Sequence, residues 1–354
     1  AGFSHTSGDY NVGVGKDTQY WNETGADNTS LGHQALMGTS GNSHSDNTAI
    51  GYHSMKNITT GTLNVSVGHS SLLDITTGHR NTMVGYQAGE NTTDAAYNTA
   101  VGYQAMRGSG ASGLTGAGVN VAIGYNTLQA ITTASDCVSI GGDALSSLTT
   151  GEGNIAIGRG AMSTAASGEN NNVAIGKNAM ADCNNASNDV NIAIGTNALL
   201  GGGNVVAANV AIGYGVMSDV NALSTGGTYN TAIGYNTMNG TWTTAASNYN
   251  TAIGSQSMQG AMNAAADNTA LGYDSLKALT EGLKNTAIGK GSLDSLTTGV
   301  QNTAVGRTSL PALVGGGNNI GIGFDSGLLT TEGNHNIFIG TSSGAANTTG
   351  DELI

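Results

Sequence analysis

The chain has 354 residues, of which 57 are glycine, one is proline and only 9% are charged. Twenty-three acids against ten bases leave a net charge of −13, which excludes a surface that tracks a nucleic-acid backbone, since that needs clustered Lys and Arg. There is no Gly-X-Y period, no run of eighteen apolar residues to insert into a membrane and too little charge for a disordered chain, so the composition points to regular β structure.

Taken in chain order, one five-residue element keeps returning. It begins as NVGVG at Asn11 and NTSLG at Asn28, and continues as NVSVG at Asn64, NTAVG at Asn98 and NVAIG at Asn120. Further on it is NVAIG at Asn172 and Asn209, NTAIG at Asn230, Asn250 and Asn285, and NIFIG at Asn336. Nineteen copies start at 11, 28, 47, 64, 81, 98, 120, 137, 154, 172, 191, 209, 230, 250, 268, 285, 302, 319 and 336. Ten of the eighteen intervals are 17 residues and the rest run from 18 to 22, so the unit is 17 residues long and tolerates insertions. Such self-similarity defines a repeat architecture.

Within the unit, position 1 is Asn except at Cys137, position 5 is always Gly, and positions 2 and 4 are β-branched or aliphatic. Position 3 is Ala, Ser or Gly except at Met83 and Phe338. Position 9 is Leu or Met in fifteen copies. A period of two over positions 2 to 4 predicts a short strand. A Thr-Thr-Gly-like segment near position 15 predicts a turn. The fold class expected is all-β: a parallel β-solenoid, or β-roll, of about nineteen 17-residue coils. Repeats of ~33 residues or more, as in α-solenoids and propellers, are excluded by the period.

The aliphatic residues at positions 2 and 4 are expected inside, with position 9. The small residues at position 3 are read as a flat outer face for packing against another surface, the alternative being that they point into a narrow coil interior. The Asn column predicts a side-chain ladder, each amide donating to one neighbour and accepting from the other. Pro311 at position 10 is placed at a turn, because a ladder strand needs every N–H. Residues 11–352 read as a single repeat solenoid, 1–10 as its lead-in, and 353–354 as the start of a following segment or a truncated end.

Strings such as NTAVGYQAM from Asn98 and NTAIGYNTM from Asn230 resemble the repeats of phage tail-fibre proteins. They are also similar to the head repeats of YadA-like trimeric autotransporter adhesins. The resemblance covers roughly 11–352. It implies a left-handed coil, a homotrimer, and a structural fibre of the virion that reaches and recognises a host-cell surface through a glycan or protein receptor. A bacterial cell-surface adhesin head is the alternative, and a polysaccharide depolymerase a third.

Position 6 carries Lys16, His33, Tyr52, His69, Tyr86, Tyr103, Tyr125, Arg159, Lys177, Tyr214, Tyr235, Tyr273, Lys290 and Arg307. Tyr52, Tyr86, Tyr103, Tyr125, Tyr214, Tyr235 and Tyr273 are candidate binding residues on a surface edge, since a phenol offers an apolar face and a polar tip. Long intervals place insertions within 107–119, 218–229 and 239–249, and Trp242 in the last is a further candidate, because loops on a scaffold often carry binding.

No catalytic residue is assigned. Glu90 with Asp94, and Asp143 with Glu152, are the nearest approach to paired carboxylates, and no enzyme activity is expected. No metal and no cofactor are expected either, since the seven histidines show no ligand spacing. Cys137 and Cys183 lie two coils apart and are expected to be free thiols. The Asp-Asn pairs at Asp27, Asp46 and Asp267 read as turns. Threonine at position 2 swaps with Val and Ile and reads as interior, and insertions break the Thr-Thr pair, which together remove the unbroken array an ice-binding face would need.

Overall fold

The computed structural model describes residues 6–109, 114–116, 118–165, 167–201, 205–220, 227–242 and 245–354. Each copy of the repeat forms one coil of a parallel β-solenoid, and the chain divides into two units, Ala1–Asn172 and Val173–Ile354. The first unit holds nine three-residue strands, β1 (Val12–Val14) to β9 (Ile155–Ile157). The second holds ten, β10 (Val173–Ile175) to β19 (Ile337–Ile339). Every strand occupies positions 2 to 4 of its repeat.

Within each unit successive strands pair in parallel, like position on like position. Thr48 pairs with Val65 and Ile50 with Val67; Thr269 pairs with Thr286 and Leu271 with Ile288. The ladder alternates direction: Thr48 donates its N–H to the Asn64 carbonyl at 2.8 Å, and Gly51 donates back to Leu31 at 2.8 Å. Pro311 sits in a turn, its carbonyl accepting from Ser295 at 3.1 Å.

The Asn column forms the expected ladder inside each unit. Asn64 Nδ2 donates to Asn47 Oδ1 at 3.1 Å and to the Gly78 carbonyl at 2.9 Å, while its N–H donates to the same Oδ1 at 3.0 Å. Asn81 then repeats the pattern on Asn64. Each buried amide thus satisfies itself and ties position 15 of its own coil to the coil before, as a buried polar group must.

The facing of the strand is the reverse of the expectation. Position 3 is buried in eighteen of nineteen coils, Gly13 being half-buried. The residues at positions 2 and 4 are never buried, as in Thr48–Ile50, Val173–Ile175 and Thr286–Ile288. The physical reason is width. The core is a thin slot filled by position 3, small residues at position 8 such as Ala105 and Ser292, Leu or Met at position 9, and Ile or Leu at position 12 such as Ile75 and Leu296. Only Ala, Ser or Gly fits between the strand and the opposite wall, so the branched side chains stand outward. The small column is therefore core, not a packing face.

Cys137 and Cys183 are both free and buried. Cys137 interrupts the Asn ladder: its N–H still reaches Asn120 Oδ1 at 3.0 Å, but a thiol replaces the amide, donating to the Ser135 carbonyl at 3.2 Å. Burial pushes this thiol's pKa up, Asn154 hydrogen bonds opposing. Cys137→Asn restores the column and is expected to raise stability by about 1 kcal/mol, the net worth of a hydrogen bond. A higher urea midpoint at unchanged slope checks it.

Candidate functional site

The outward side of each unit's sheet is a stripe of Val, Ile, Leu and Thr with no charge in any coil. Val14 is 57% exposed, Leu271 44% and Ile288 37%. At about 100 Å² per coil, nine coils present on the order of 900 Å², well above the largest apolar patch of an ordinary monomer and close to the ~800 Å² per partner of a stable interface. The position-2 threonines belong to this face, Thr231, Thr251, Thr269, Thr286 and Thr303 pairing in succession. The reading of position 2 as interior, one of the two sequence grounds for setting aside an ice-binding face, is thereby removed.

Two columns border the stripe, one at each end of the strands. At the C-terminal end, position 6 stacks ring on ring in the first unit. The centroids are 5.3 Å apart for His33–Tyr52, 4.9 Å for Tyr52–His69, 5.2 Å for His69–Tyr86 and Tyr86–Tyr103, and 5.4 Å for Tyr103–Tyr125. In the second unit Tyr214 stacks on Tyr235 at 5.5 Å, Lys290 lies 5.3 Å over Tyr273, and Arg307 lies 5.4 Å over Phe324. The seven candidate tyrosines are exposed. Stacking occupies ring faces and leaves edges and hydroxyls to solvent, so any ligand here meets phenol rims rather than open platforms.

At the N-terminal end, position 17 holds a second set that sequence reasoning did not single out. Tyr229 and Tyr249 stack at 5.2 Å, and Arg80 Nη1 donates to the Tyr97 hydroxyl at 2.8 Å. These residues take the left-handed conformation, φ 59° at Tyr229 and 63° at Tyr97. Asp27, Asp46 and Asp267 are among them, at φ 58–59°, which agrees with their reading as turns.

Trp242 does not stand on the surface. It is 4% exposed, and its Nε1 donates to the Met238 carbonyl at 3.4 Å. Insertion residues 110–113, 117, 221–226 and 243–244 lie outside the described residues. Glu90 is engaged by Arg107 Nε at 2.8 Å and by Gln87 at 2.7 Å, and Asp94 accepts from the Gly116 N–H at 3.1 Å. Asp143 accepts from Asn126 at 3.4 Å, and the Glu152 N–H donates to Asn170 at 2.9 Å. A further polar strip, at position 10 of the second unit, was also missed. Asn239, Gln259, Lys277 and Asp294 line an open groove of about 690 Å³ together with Gly260, Ala278 and Ser295. Lys277 pairs with Asp274 at 3.0 Å, and burial, then the Asp274 charge, raises the pKa of Asp294.

His53 stacks on Tyr52 with centroids 3.7 Å apart and lies 5.7 Å from the ring of His33. Burial, then the charges of Lys56, His33 and His69, lowers its pKa from 6.5. A histidine depressed in the folded state is protonated more readily when unfolded. Its contribution to stability is therefore complete above pH 6.5 and is lost as pH falls from there toward the lowered folded value. Urea midpoints at pH 7.5 and 5.5 are expected to differ less for His53→Gln than for the parent. Equal differences would remove His53 from the acid response.

Among the described residues, no group of three or more His, Cys, Asp or Glu side chains is placed to hold a metal ion. Among the described residues no helix is long and apolar enough to cross a membrane. Compared with known proteins, the chain matches no family model and no curated protein.

Proposed function

We propose that this chain is a structural fibre shaft that self-associates through its outward apolar stripe as a homotrimer, in the manner of the phage tail fibres its repeats resemble. The reading places it in the virion, holding a tip away from the particle, with any contact to a host-surface glycan or protein receptor made by the exposed columns. It assigns the chain no catalytic role.

One observation carries it: in-register strands turn uncharged branched side chains to solvent along every coil. A face of this size exposed in water is a standing drive for association. Light scattering in native buffer is expected to give about 105 kDa, three times the 35.2 kDa chain. Ile233→Glu with Ile253→Glu is expected to lower that mass without loss of β signal, because both side chains stand on the stripe. A parent protein that is monomeric at all concentrations overturns the reading. A downstream coiled coil and barrel anchor in the full gene would instead favour the adhesin head.

A second reading rests on the outward threonine column: a monomeric chain whose regular Thr and Ile array meets ice. It requires the stripe to be free. Thermal hysteresis from a monomeric sample would support it, and none would dispose of it.

A further inference from the structure

Positions 7, 10 and 11 follow the position-6 column, past the edge of the stripe. At position 7, side chains of successive coils engage one another. Gln104 donates to Gln87 at 2.7 Å, Asn126 to Asp143 at 3.4 Å and Asn178 to Asn197 at 3.4 Å, and Thr308 donates to Asp325. Asp17 and Gln34 hold this position in the first two coils. Among the described residues, neither of these two side chains has a hydrogen bond or an ion pair.

The first coil is unusual at positions 10 and 11 as well. Tyr20 and Trp21 are the only aromatic residues at either position in nineteen coils. Their rings meet at 82° with centroids 4.8 Å apart, so they form a corner. Asp17, Tyr20, Trp21, Gln34 and Met37 line a pocket of about 250 Å³, and all five are half-buried. The ladder fixes its two levels: the Gln34 N–H donates to the Lys16 carbonyl at 2.8 Å, and the Trp21 N–H to the Met37 carbonyl at 2.9 Å. A frame held in this way loses little freedom on binding.

We infer that this pocket binds a small organic cation, a quaternary or alkylated ammonium group. Two π-faces attract such a group, and the methyls around its charge fit apolar walls. The Met37 thioether is polarizable and adaptable enough to close the remaining side. The Asp17 carboxylate supplies the counter-charge, and among the described residues no Lys, Arg or His lines the pocket. A neutral sugar ring would also suit the aromatic faces but would leave that carboxylate without a charge partner. The volume lies below the ~300 Å³ at which sites for drug-sized ligands begin, which suits one compact head group. The pocket lies within the first unit and away from the stripe, so the inference stands apart from the proposed shaft.

The test is titration of the full chain with choline chloride at constant ionic strength, read by calorimetry and by tryptophan emission. Trp242 is 4% exposed, so a change in emission reports Trp21. Saturable binding of choline is expected. The neutral isostere, in which a tert-butyl group replaces the trimethylammonium, and a methyl glucoside are expected not to bind. Trp21→Ala is expected to weaken choline binding about 5- to 30-fold. Asp17→Asn keeps the shape, removes the charge and is expected to weaken it about 2- to 5-fold; it carries the test should Trp21→Ala fail to fold. Phosphocholine run alongside separates the sources: tighter binding than choline supports a surface-borne head group, and weaker binding supports the free ammonium. No saturable binding of choline up to about 50 mM overturns the inference. Equal binding of the isostere, or of the glucoside, overturns it too, by making the pocket merely apolar or a sugar site. So does choline binding that both variants leave unchanged. None of these outcomes alters the oligomer mass that decides the shaft.

Discussion

Alanine at Gly272 is expected to destabilise the second unit by roughly 3–5 kcal/mol, the sum of a glycine-only backbone and a forced shift in a packed interior. Gly272 has φ 141°, and a Cβ there would lie 2.7 Å from both the carbonyl carbon and the oxygen of Gly289 in the next coil. That oxygen belongs to main chain held in the ladder, so it cannot swing aside as a side chain would. Gly306 repeats the geometry, with φ 134° and the Gly323 oxygen 2.5 Å from its built Cβ. Position 5 is therefore a column of backbones in close approach.

Two other glycines separate the contributions. Gly340 keeps φ 117° but has nothing within 4 Å of its built Cβ, so Gly340→Ala is expected to cost only the backbone part, about 1–3 kcal/mol. Gly142 at position 6 has neither a positive φ nor a neighbour within 4 Å, and Gly142→Ala is expected to be neutral or to stabilise by up to ~1 kcal/mol. Urea unfolding of the three variants checks the order Gly272, Gly340, Gly142. Equal losses at Gly272 and Gly142 would mean that the column does not hold the coils together.

The invariance of that glycine was visible in the sequence, as were all nineteen strands, the Asn ladder and the turn at position 15. These are features a repeat exposes because each recurs at one place. What the pattern could not fix was its own sign. Alternation of Thr-Ala-Ile says that Ala faces one way and Thr and Ile the other, but not which way is in. The usual rule sends the larger apolar residues inward. It fails here because a coil closed by seventeen residues leaves too narrow a slot. The candidate tyrosines were legible as a column for the same reason of recurrence. The position-17 edge was not, because its residue types vary from Tyr97 to Asp136 to Lys284 and share only the left-handed backbone.

One signal for the sign was present in two coils that break the pattern. Where position 3 is Met83, position 9 is Gly89; where it is Phe338, position 9 is Gly344. Residues that trade size must share a space, and position 9, apolar in most coils, is core. Met83 is fully buried, and a Cβ on Gly89 would lie 3.1 Å from its sulfur and 3.2 Å from Leu72 Cδ2. A Cβ on Gly344 would lie 2.2 Å from Phe338 Cδ1 and 2.4 Å from its Cε1.

Met83→Ala is accordingly expected to cost about 2–5 kcal/mol, since it opens a cavity that Gly89 cannot fill. Gly89→Leu alone overfills the same slot and is expected to cost about 1–3 kcal/mol or more. Combined, the two substitutions recreate the Ala122 and Leu128 pairing of a regular coil. Leu128 is fully buried there and tolerates φ 49°, close to the 61° of Gly89. The double variant is expected to return to within about 1 kcal/mol of the parent, a coupling that only residues in contact show. Additive losses would place Met83 and Gly89 in separate environments and would point the aliphatic side of the strand back toward the core.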